Sequence, residues 1–272
     1  SAAGTINTTN TAMSLGDANT ALTLTADTTL NTAGGSLTLG GAVDGSTANT
    51  ESLTLNAGST GAVSVVGAVG QGTSLQTLTL TNSNGATFSS AVTTGTSVVL
   101  TDTTDGQTIR FADNLSTPVL TTTANGYHLE LLGTTTNVSD VNTATTFLNT
   151  GNLVLGNGSG DTLSFAGGLT ATAPAAISAA GTINTTNTAM SLGDANTALT
   201  LTADLTLDTT GANASAGGSL TLGGAVNGTT ANTESLTLNA GSTGAISVVG
   251  AVGQGTSLQT LTLTNSNGAV FN

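Results

Sequence analysis

A histidine and a glutamate lie two residues apart in the segment YHLEL, residues 127–131. Because side chains alternate between the two faces of a β-strand, His128 and Glu130 would share one face and the leucines the other. A His/Glu pair can carry out general acid–base catalysis. The pair occurs once and has no nucleophile partner in the sequence. We therefore interpret it as two solvated side chains on the outer face of a strand.

Arg110 is the only basic residue, and the chain contains no lysine. It lies between two apolar residues, so alternation points its side chain away from the core. Asp102, Asp105 and Asp113 are close to it in sequence. Polysaccharide lyases need several basic residues and carboxylates around a groove, and one arginine is too few for such a site. We predict a surface ion pair worth at most about 1 kcal/mol.

Residues 156–164 (GNGSGDTLS) resemble the calcium-binding nonapeptide GGxGxDxUx, with Asp161 and Leu163 in register. Asn157 and Ser159 replace two of its glycines. The motif binds calcium where stacked coils supply several copies, and here there is one. We interpret the segment as a glycine-rich turn and keep calcium as the alternative. No catalytic residue, metal ligand or cofactor is assigned.

Asp102 and Asp105, in the segment TDTTDG, form a second weak cluster of oxygen ligands. Calcium takes six to eight oxygen ligands, and two carboxylates alone do not specify such a site. We expect no metal there.

Threonine alternates with leucine at residues 23–25, 77–79 and 260–262. Outward threonine ladders on a flat solenoid face are typical of ice-binding proteins, which require the same two threonines on every coil. Other strands depart from that pattern, since Ser64 is followed by Val66 at the matching position. We interpret the threonines as β-branched residues suited to a half-wet strand face. Ice or glycan binding through outward threonine ladders remains the alternative function.

Charge limits the classes of partner. The 272 residues include 14 acidic and one basic, for a formal net charge of −13. A chain without a basic footprint is not expected to bind nucleic acid or an anionic membrane surface. No apolar run approaches the roughly 18 residues of a transmembrane helix, so no membrane insertion is predicted. Cysteine is absent, which excludes disulfides and thiolate metal sites.

Short β-strands are the elements that would position these side chains. Period-two alternation of apolar and polar residues indicates a half-buried strand. Residues 36–82 contain four such alternations, each closed by Gly, Asn or Asp: Leu37/Leu39, Leu53/Leu55, Val63/Val65 and Leu78/Leu80. Residues 90–177 are less regular, and a further strand is predicted there at Phe147–Leu148. No segment between the four alternations has a 3.6-residue pattern or the length of a helix.

The first third of the chain recurs almost unchanged. Residues 1–89 match residues 178–272 with seven replacements and one insertion of six residues, 210–215 (TGANAS). The replacement of Val63 by Ile246 falls on the inferred inward face of a strand, where a core tolerates such a change. The insertion falls between strands, where a solenoid can bulge a loop without disturbing its coils.

We therefore predict one continuous β-solenoid over residues 1–272. Residues 1–177 would be a first long repeat unit, and residues 178–272 the first half of a second, near-identical one. The chain begins with neither Met nor a signal peptide and ends inside a repeat. We expect it to be cut from a longer protein.

The predicted fold is all-β, a parallel, right-handed β-helix or β-solenoid. Sandwiches and barrels also have short strands at regular spacing, but they do not usually repeat near-identical sequence over so long a stretch. A solenoid winds its strands into coils that stack like residues about 4.8 Å apart. At about 22–27 residues per coil, this chain would form about 10–12 coils.

Several segments resemble the tandem repeats of very large bacterial surface proteins related to filamentous haemagglutinins and autotransporter-like adhesins. They include residues 52–88 (SLTLNAGSTGAVSVVGAVGQGTSLQTLTLTNSNGATF), residues 145–174 and residues 7–32. The resemblance extends over essentially the whole chain. It implies export, a right-handed β-helical stalk, and a role in attachment, aggregation or a cell-surface layer.

The expected function is therefore non-enzymatic: a structural repeat region of an exported bacterial surface fibre, adhesin stalk or surface layer. We expect an extracellular location at the bacterial cell surface. The expected partners are further copies, joined end to end or laterally into fibres. A glycan or a host- or cell-surface ligand would be bound by parts of the protein outside these residues.

Overall fold

A computed structural model describes residues 1–211 and 216–272, which form a parallel β-solenoid of about 11 turns. None of the described residues is helical, so the all-β, parallel solenoid predicted from the sequence is confirmed. The chain divides into two compact units, Ser1–Gly133 and Thr134–Asn272. Each unit is built from short strands that pair in parallel with strands of neighbouring coils.

The first unit contains strands β1 to β14. They are β1 (Ala2–Asn7), β2 (Met13–Leu15), β3 (Leu22–Asn31), β4 (Leu37–Leu39), β5 (Val43–Gly45), β6 (Leu53–Asn56), β7 (Val63–Val65), β8 (Leu75–Asn82), β9 (Ala86–Phe88), β10 (Val92–Leu100), β11 (Thr108–Phe111), β12 (Leu115–Thr117), β13 (Val119–Thr122) and β14 (His128–Leu131). All four strands predicted between residues 36 and 82 are present.

The second unit contains strands β15 to β28. They are β15 (Thr135–Val138), β16 (Thr145–Thr146), β17 (Leu153–Leu155), β18 (Thr162–Phe165), β19 (Leu169–Ala171), β20 (Ile177–Asn184), β21 (Met190–Leu192), β22 (Leu199–Asp208), β23 (Leu220–Leu222), β24 (Val226–Gly228), β25 (Ser235–Asn239), β26 (Ile246–Val248), β27 (Thr260–Asn265) and β28 (Ala269–Phe271). The strand predicted at Phe147–Leu148 is wrong, because the strand there is β16 and Leu148 is exposed.

Buried apolar side chains of the first unit stack in three columns, one for each face of the coil. Each member is the register partner of the next and is at most 1 % exposed. The columns are Leu30, Leu55, Leu80 and Leu100; Leu39, Val65, Phe88, Phe111 and Leu131; and Val43, Val69 and Val92. Burying each such side chain is worth about 1.5–3 kcal/mol, so the columns are the core.

The second unit repeats this arrangement. Its columns are Leu163, Ile183, Leu207 and Leu238; Leu169, Met190, Leu220 and Ile246; and Leu153, Ile177, Leu199 and Val226. All twelve side chains are buried. Val63 and its counterpart Ile246 are 2 % and 1 % exposed, so the predicted inward position of this replacement is confirmed.

Coil length varies more than the sequence predicted. Leu80 pairs with Leu100, which makes a coil shorter than expected, whereas Leu207 pairs with Leu238, which makes a longer one. The long coil contains the insertion, and it exceeds the equivalent coil of the first copy, from Leu30 to Leu55, by the length of that insertion. Insertion residues 212–215 lie outside the described residues. The strand register on both sides of the insertion is the same in the two copies.

Glycine allows neighbouring coils to approach closely at one corner. A Cβ atom on Gly67 would lie 2.1 Å from the backbone carbonyl carbon of Gly41, and one on Gly250 would lie 2.2 Å from that of Gly224. Both distances are far below contact distance, so any side chain there would push two coils apart. Backbone packing therefore requires glycine at this corner.

Candidate functional site

His128, Glu130 and Arg110 lie on one outward face of two paired strands. In β14, His128 and Glu130 alternate with the buried Leu129 and Leu131, so the predicted shared face is confirmed. Register pairs Arg110 of β11 with Glu130. The Arg110 Nε atom lies 3.6 Å from Glu130 Oε2, and the side chains are 49 % and 27 % exposed.

This contact identifies the partner of Arg110. Within the described residues the ion pair of Arg110 is with Glu130 on the paired strand, and not with the aspartates near it in sequence. A single exposed pair of this kind contributes little, because water screens both charges. Ordinary cross-strand pairing explains this contact, and no bound substrate is needed to account for it.

Asp161, the aspartate of the nonapeptide-like segment, is 6 % exposed and bound to its own turn. Its Oδ2 atom accepts the backbone N–H groups of Asn157 at 2.8 Å and Gly158 at 2.9 Å. A carboxylate oxygen held by two backbone donors is oriented toward the turn. The geometry is that of the glycine-rich turn that we preferred from the sequence.

Asp105 also caps a turn. Its Oδ1 atom accepts the backbone N–H of Gly126 in the next coil at 3.1 Å. A Cβ atom on Gly126 would lie 2.5 Å from that same oxygen, so glycine is needed for the contact. Asp102 lies near the buried Tyr127, whose pKa is raised first by burial and further by the Asp102 charge.

The described residues contain no group of three or more His, Cys, Asp or Glu side chains that could hold a metal ion. None of these residues forms a helix with the length and apolar character needed to cross a membrane.

The carboxylates have a common structural use. Of the fourteen Asp and Glu residues in the chain, twelve accept a backbone N–H from a turn or from the next coil. They are Asp17, Asp27, Asp44, Glu51, Asp105, Asp113, Asp140, Asp161, Asp194, Asp204, Asp208 and Glu234. The acidic composition therefore reflects the capping of irregular backbone, where unpaired N–H groups would otherwise need water.

Two of these caps are buried glutamates at equivalent positions of the two copies. Glu51 accepts Ser46 Oγ at 2.6 Å, and Glu234 accepts Thr229 Oγ1 at 2.6 Å. Both carboxylates are 6 % exposed. The hydroxyl hydrogen bond is the main reason that the pKa of each glutamate lies below its ordinary value of 4.5. Ser46 and Thr229 supply the same donor, which explains why that replacement is tolerated.

The exposed turns at Asp17, Asp140 and Asp194 show the same effect. The pKa of Asp17 is lowered chiefly by the Thr20 hydroxyl, that of Asp140 by the Thr143 hydroxyl, and that of Asp194 by the Asn196 backbone N–H. In each of these surface turns the aspartate carboxylate accepts the backbone N–H of the residue two positions later. The negative charge of each aspartate therefore stabilises the backbone of its own turn.

Outward threonines form one row on successive coils, but the neighbouring row of outward side chains contains different residue types. Thr29, Thr54 and Thr79 stack in register on successive coils, and the next member is Val99. The pair at 77 and 79 is Thr/Thr, the pair facing it at 97 and 99 is Ser/Val, and the pair at 119 and 121 is Val/Thr. Threonine therefore occupies both positions on one of these three coils.

Sequence reasoning missed a row of amides beside the threonines. Asn31 and Asn56 are register partners, and their Oδ1 atoms each accept a backbone N–H two residues later, from Ala33 and Gly58, at 3.1 Å. The Asn or Asp that follows strands such as those at residues 53–55 and 205–207 was the available signal. Each of these side chains ends a strand by capping the following turn.

Comparison with known proteins gives the chain no relative. No protein-family model, no curated protein and no solved structure matches it.

Proposed function

We propose that this chain is a non-enzymatic structural repeat region of an exported bacterial surface fibre, adhesin stalk or surface layer. The observation that supports this proposal most is the use of the carboxylates. An active site or cation site needs charged groups that converge on one point. Here twelve of the fourteen carboxylates are hydrogen-bonded to backbone N–H groups of a turn or of the next coil.

Coil-on-coil stacking supports a mechanical role. Each coil buries its leucines and valines against the coils on either side, and its backbone hydrogen bonds run toward those same neighbours. In such a protein stability is approximately a sum over adjacent coils. Adding coils lengthens the structure without requiring a wider core. A stalk or fibre needs this property.

The more specific part of the proposal is that the chain is related to filamentous-haemagglutinin and autotransporter-like surface proteins. It is supported by the resemblance of the repeat segments. Through that relation we assign the chain to the outside of a bacterial cell. The alternative of ice or glycan binding has less support, because threonine does not fill both outward positions on successive coils.

Labelling of intact cells tests this proposal. Antibodies raised against the 272-residue chain should decorate the surface of unbroken cells of the producing organism, and external protease should remove the signal. A cytoplasmic protein labelled in parallel is the control for cell integrity. Labelling that requires permeabilised cells would overturn the proposal.

A further inference from the structure

Asparagine followed by glycine is a reactive pair, because glycine has no side chain to hinder attack by its backbone nitrogen. That nitrogen gives its proton to hydroxide and bonds to the asparagine Cγ atom. The Cγ–Nδ2 bond breaks, the nitrogen takes a proton from water and leaves as ammonia, and a cyclic succinimide remains. Water then opens the ring to aspartate or isoaspartate. The chain contains five such pairs, which begin at Asn84, Asn125, Asn157, Asn227 and Asn267.

The pair Asn125-Gly126 lies in the turn between β13 and β14 and is held at three points by the preceding coil. The glycine N–H donates to Asp105 Oδ1 at 3.1 Å, and the glycine carbonyl oxygen accepts the N–H of Gly106 at 3.0 Å. Asn125 Nδ2 donates to the carbonyl oxygen of Thr101 at 2.9 Å. All three partners belong to the turn that follows β10. The contact between two coils therefore fixes both groups that would react.

These hydrogen bonds oppose each part of the reaction. Removing the proton of the Gly126 N–H would place a negative nitrogen against the negative carboxylate of Asp105, and like charges disfavour that form. The reaction also requires the nitrogen and the Cγ atom to approach in one particular geometry. The bond from Asn125 Nδ2 to Thr101 holds the side chain toward the preceding coil instead.

The same contact explains why the reactive pair is present. A Cβ atom on residue 126 would lie 2.5 Å from Asp105 Oδ1 and 2.7 Å from its Cγ atom. Both distances are below contact distance, so only glycine fits after Asn125 while the coils are stacked. Packing thus requires the residue that makes Asn125 reactive, and the packed coil covers it.

Two further pairs are closed by a neighbouring coil. The Gly85 N–H donates to Thr103 Oγ1 at 2.7 Å, and Thr103 is 0 % exposed. The Gly228 N–H donates to the carbonyl oxygen of Thr256 at 3.1 Å. Both acceptors lie on the coil that pairs next with the strand beside the glycine. Separation of two coils would free these N–H groups together with their acceptor's coil.

The pair Asn157-Gly158 is closed in a different way. Its glycine N–H donates to Asp161 Oδ2 at 2.9 Å, within the same turn. Separation of coils would leave that hydrogen bond in place. Asn157 is therefore an internal reference for a reaction that depends on stacking.

We propose that Asn125 is a modification site that stacked coils keep closed and that opens when residues 101–106 move away from it. The modification is loss of ammonia to give aspartate or isoaspartate, with hydroxide and water from the solvent as the only other reactants. Isoaspartate lengthens the backbone by one carbon, so the modified turn no longer matches the preceding coil. The modification thus marks coils that have separated. This inference goes beyond the proposed function and does not depend on it.

Peptide mass spectrometry of the 272-residue chain after incubation at mildly alkaline pH tests the proposal. Conversion is measured at Asn125 as the mass increase that accompanies replacement of NH2 by OH. The chain unfolded in guanidinium chloride should convert about 10-fold faster or more than the folded chain, because unfolding removes a hydrogen bond to a charged group. Equal rates in the folded and unfolded chain would overturn the proposal.

Variants locate the protection at Asp105. In the folded chain Asp105→Ala should speed conversion of Asn125 by about 10-fold or more, and Asp105→Asn, which keeps an oxygen acceptor, should restore most of the protection. Asp113→Ala is the matched control, because it removes a carboxylate that accepts the Asn114 N–H at 2.7 Å. It should leave the rate at Asn125 unchanged, and Asn157 should convert at the parent rate in all three variants.

Circular dichroism checks that each variant is folded. Conversion of Asn125 that is no faster in folded Asp105→Ala than in Asp113→Ala would overturn the proposal, as would equal acceleration at Asn157 in a folded variant. Should Asp105→Ala fail to fold, the comparison of folded and unfolded parent chain decides alone.

Discussion

Asp44 and Asn227 hold the same turn in the two copies of the repeat. Asp44 Oδ1 accepts the Gly72 N–H from the next coil at 2.9 Å, and Asn227 Oδ1 accepts the Gly255 N–H at 2.9 Å. Each oxygen also accepts the next N–H, from Thr73 at 3.1 Å or Thr256 at 3.2 Å. An amide oxygen and a carboxylate oxygen are thus interchangeable here, which indicates that the position serves to fix the backbone and not to provide charge.

This relationship predicts the effect of substitution at Asp44. Asp44→Ala should destabilise the fold by about 1 kcal/mol, because two N–H groups lose their acceptor but the exposed Gly72 N–H can bind water instead. Asp44→Asn should stay within about 0.5 kcal/mol of the parent, as for a neutral surface change. Urea denaturation followed by circular dichroism measures both.

Amide hydrogen exchange locates the same effect. Asp44→Ala should speed exchange at Gly72 and Thr73 and leave the equivalent amides of the second copy unchanged. Peptides that contain Val63 or Ile246 distinguish the two copies by mass. Equal acceleration in both copies would contradict a local cap.

The buried glutamate caps predict a loss of stability in acid. Hydrogen bonds hold the pKa values of Glu51 and Glu234 below the ordinary 4.5 in the folded chain. A group with a depressed folded pKa stabilises the fold above its unfolded pKa, and that contribution disappears as pH falls through the folded pKa. The urea midpoint should therefore be flat from pH 7 to about 5 and decline below about 4.5.

The double variant Glu51→Gln, Glu234→Gln tests the assignment. Its stability should be lower than that of the parent at neutral pH, and its decline in acid should be shallower. The remaining decline belongs to surface caps such as Asp17, whose pKa is also lowered. An unchanged acid profile in the double variant would rule these glutamates out as the source.

The two stacked phenylalanine rings predict that the cost in stability of removing a ring depends on how deeply that ring is buried. The rings of Phe88 and Phe111 are parallel, with centroids 4.7 Å apart. Phe88→Ala should cost about 3–5 kcal/mol, as expected for a buried aromatic residue. Phe271→Ala, the same change at the exposed counterpart, should cost less than about 1.5 kcal/mol in the monomer. Equal losses at the two sites would contradict the burial difference.

The Arg110–Glu130 pair should be nearly neutral. A double-mutant cycle with Arg110→Gln and Glu130→Gln should give a coupling energy below about 1 kcal/mol, because both side chains are partly exposed. The coupling should shrink further in about 1 M salt, where the Debye length is about 3 Å. A coupling of several kcal/mol would show that the pair is more than a surface contact.

The fold was predictable because its signal is local and repeated. Leu37 and Leu39, or Leu53 and Leu55, alternate with polar residues, and that pattern alone sets which side chains face the core. The repeat then excludes architectures that do not stack near-identical units. Coil length was harder to predict, because the short coil that ends at Leu100 and the long one that ends at Leu238 both keep the strands in register. The turns absorb the difference.

The contacts between coils were not predictable residue by residue. Asp27 accepts the Ser52 N–H of the next coil at 2.9 Å, and Glu130 meets Arg110 of the paired strand. Such partners depend on the number of residues in each intervening turn, and no local pattern encodes that number. At Asp161, in contrast, the local sequence was enough to favour a glycine-rich turn, and the carboxylate there caps backbone N–H groups.

The central claim is that this chain acts through the stacking of its coils. Pulling a single 272-residue chain from its two ends in optical tweezers tests that claim most directly. We predict stepwise lengthening, in which each step releases one coil, or roughly 65–110 Å of contour at about 3.3–3.6 Å per residue. Smooth extension at low force, with no resolved steps, would contradict a load-resisting stack of coils.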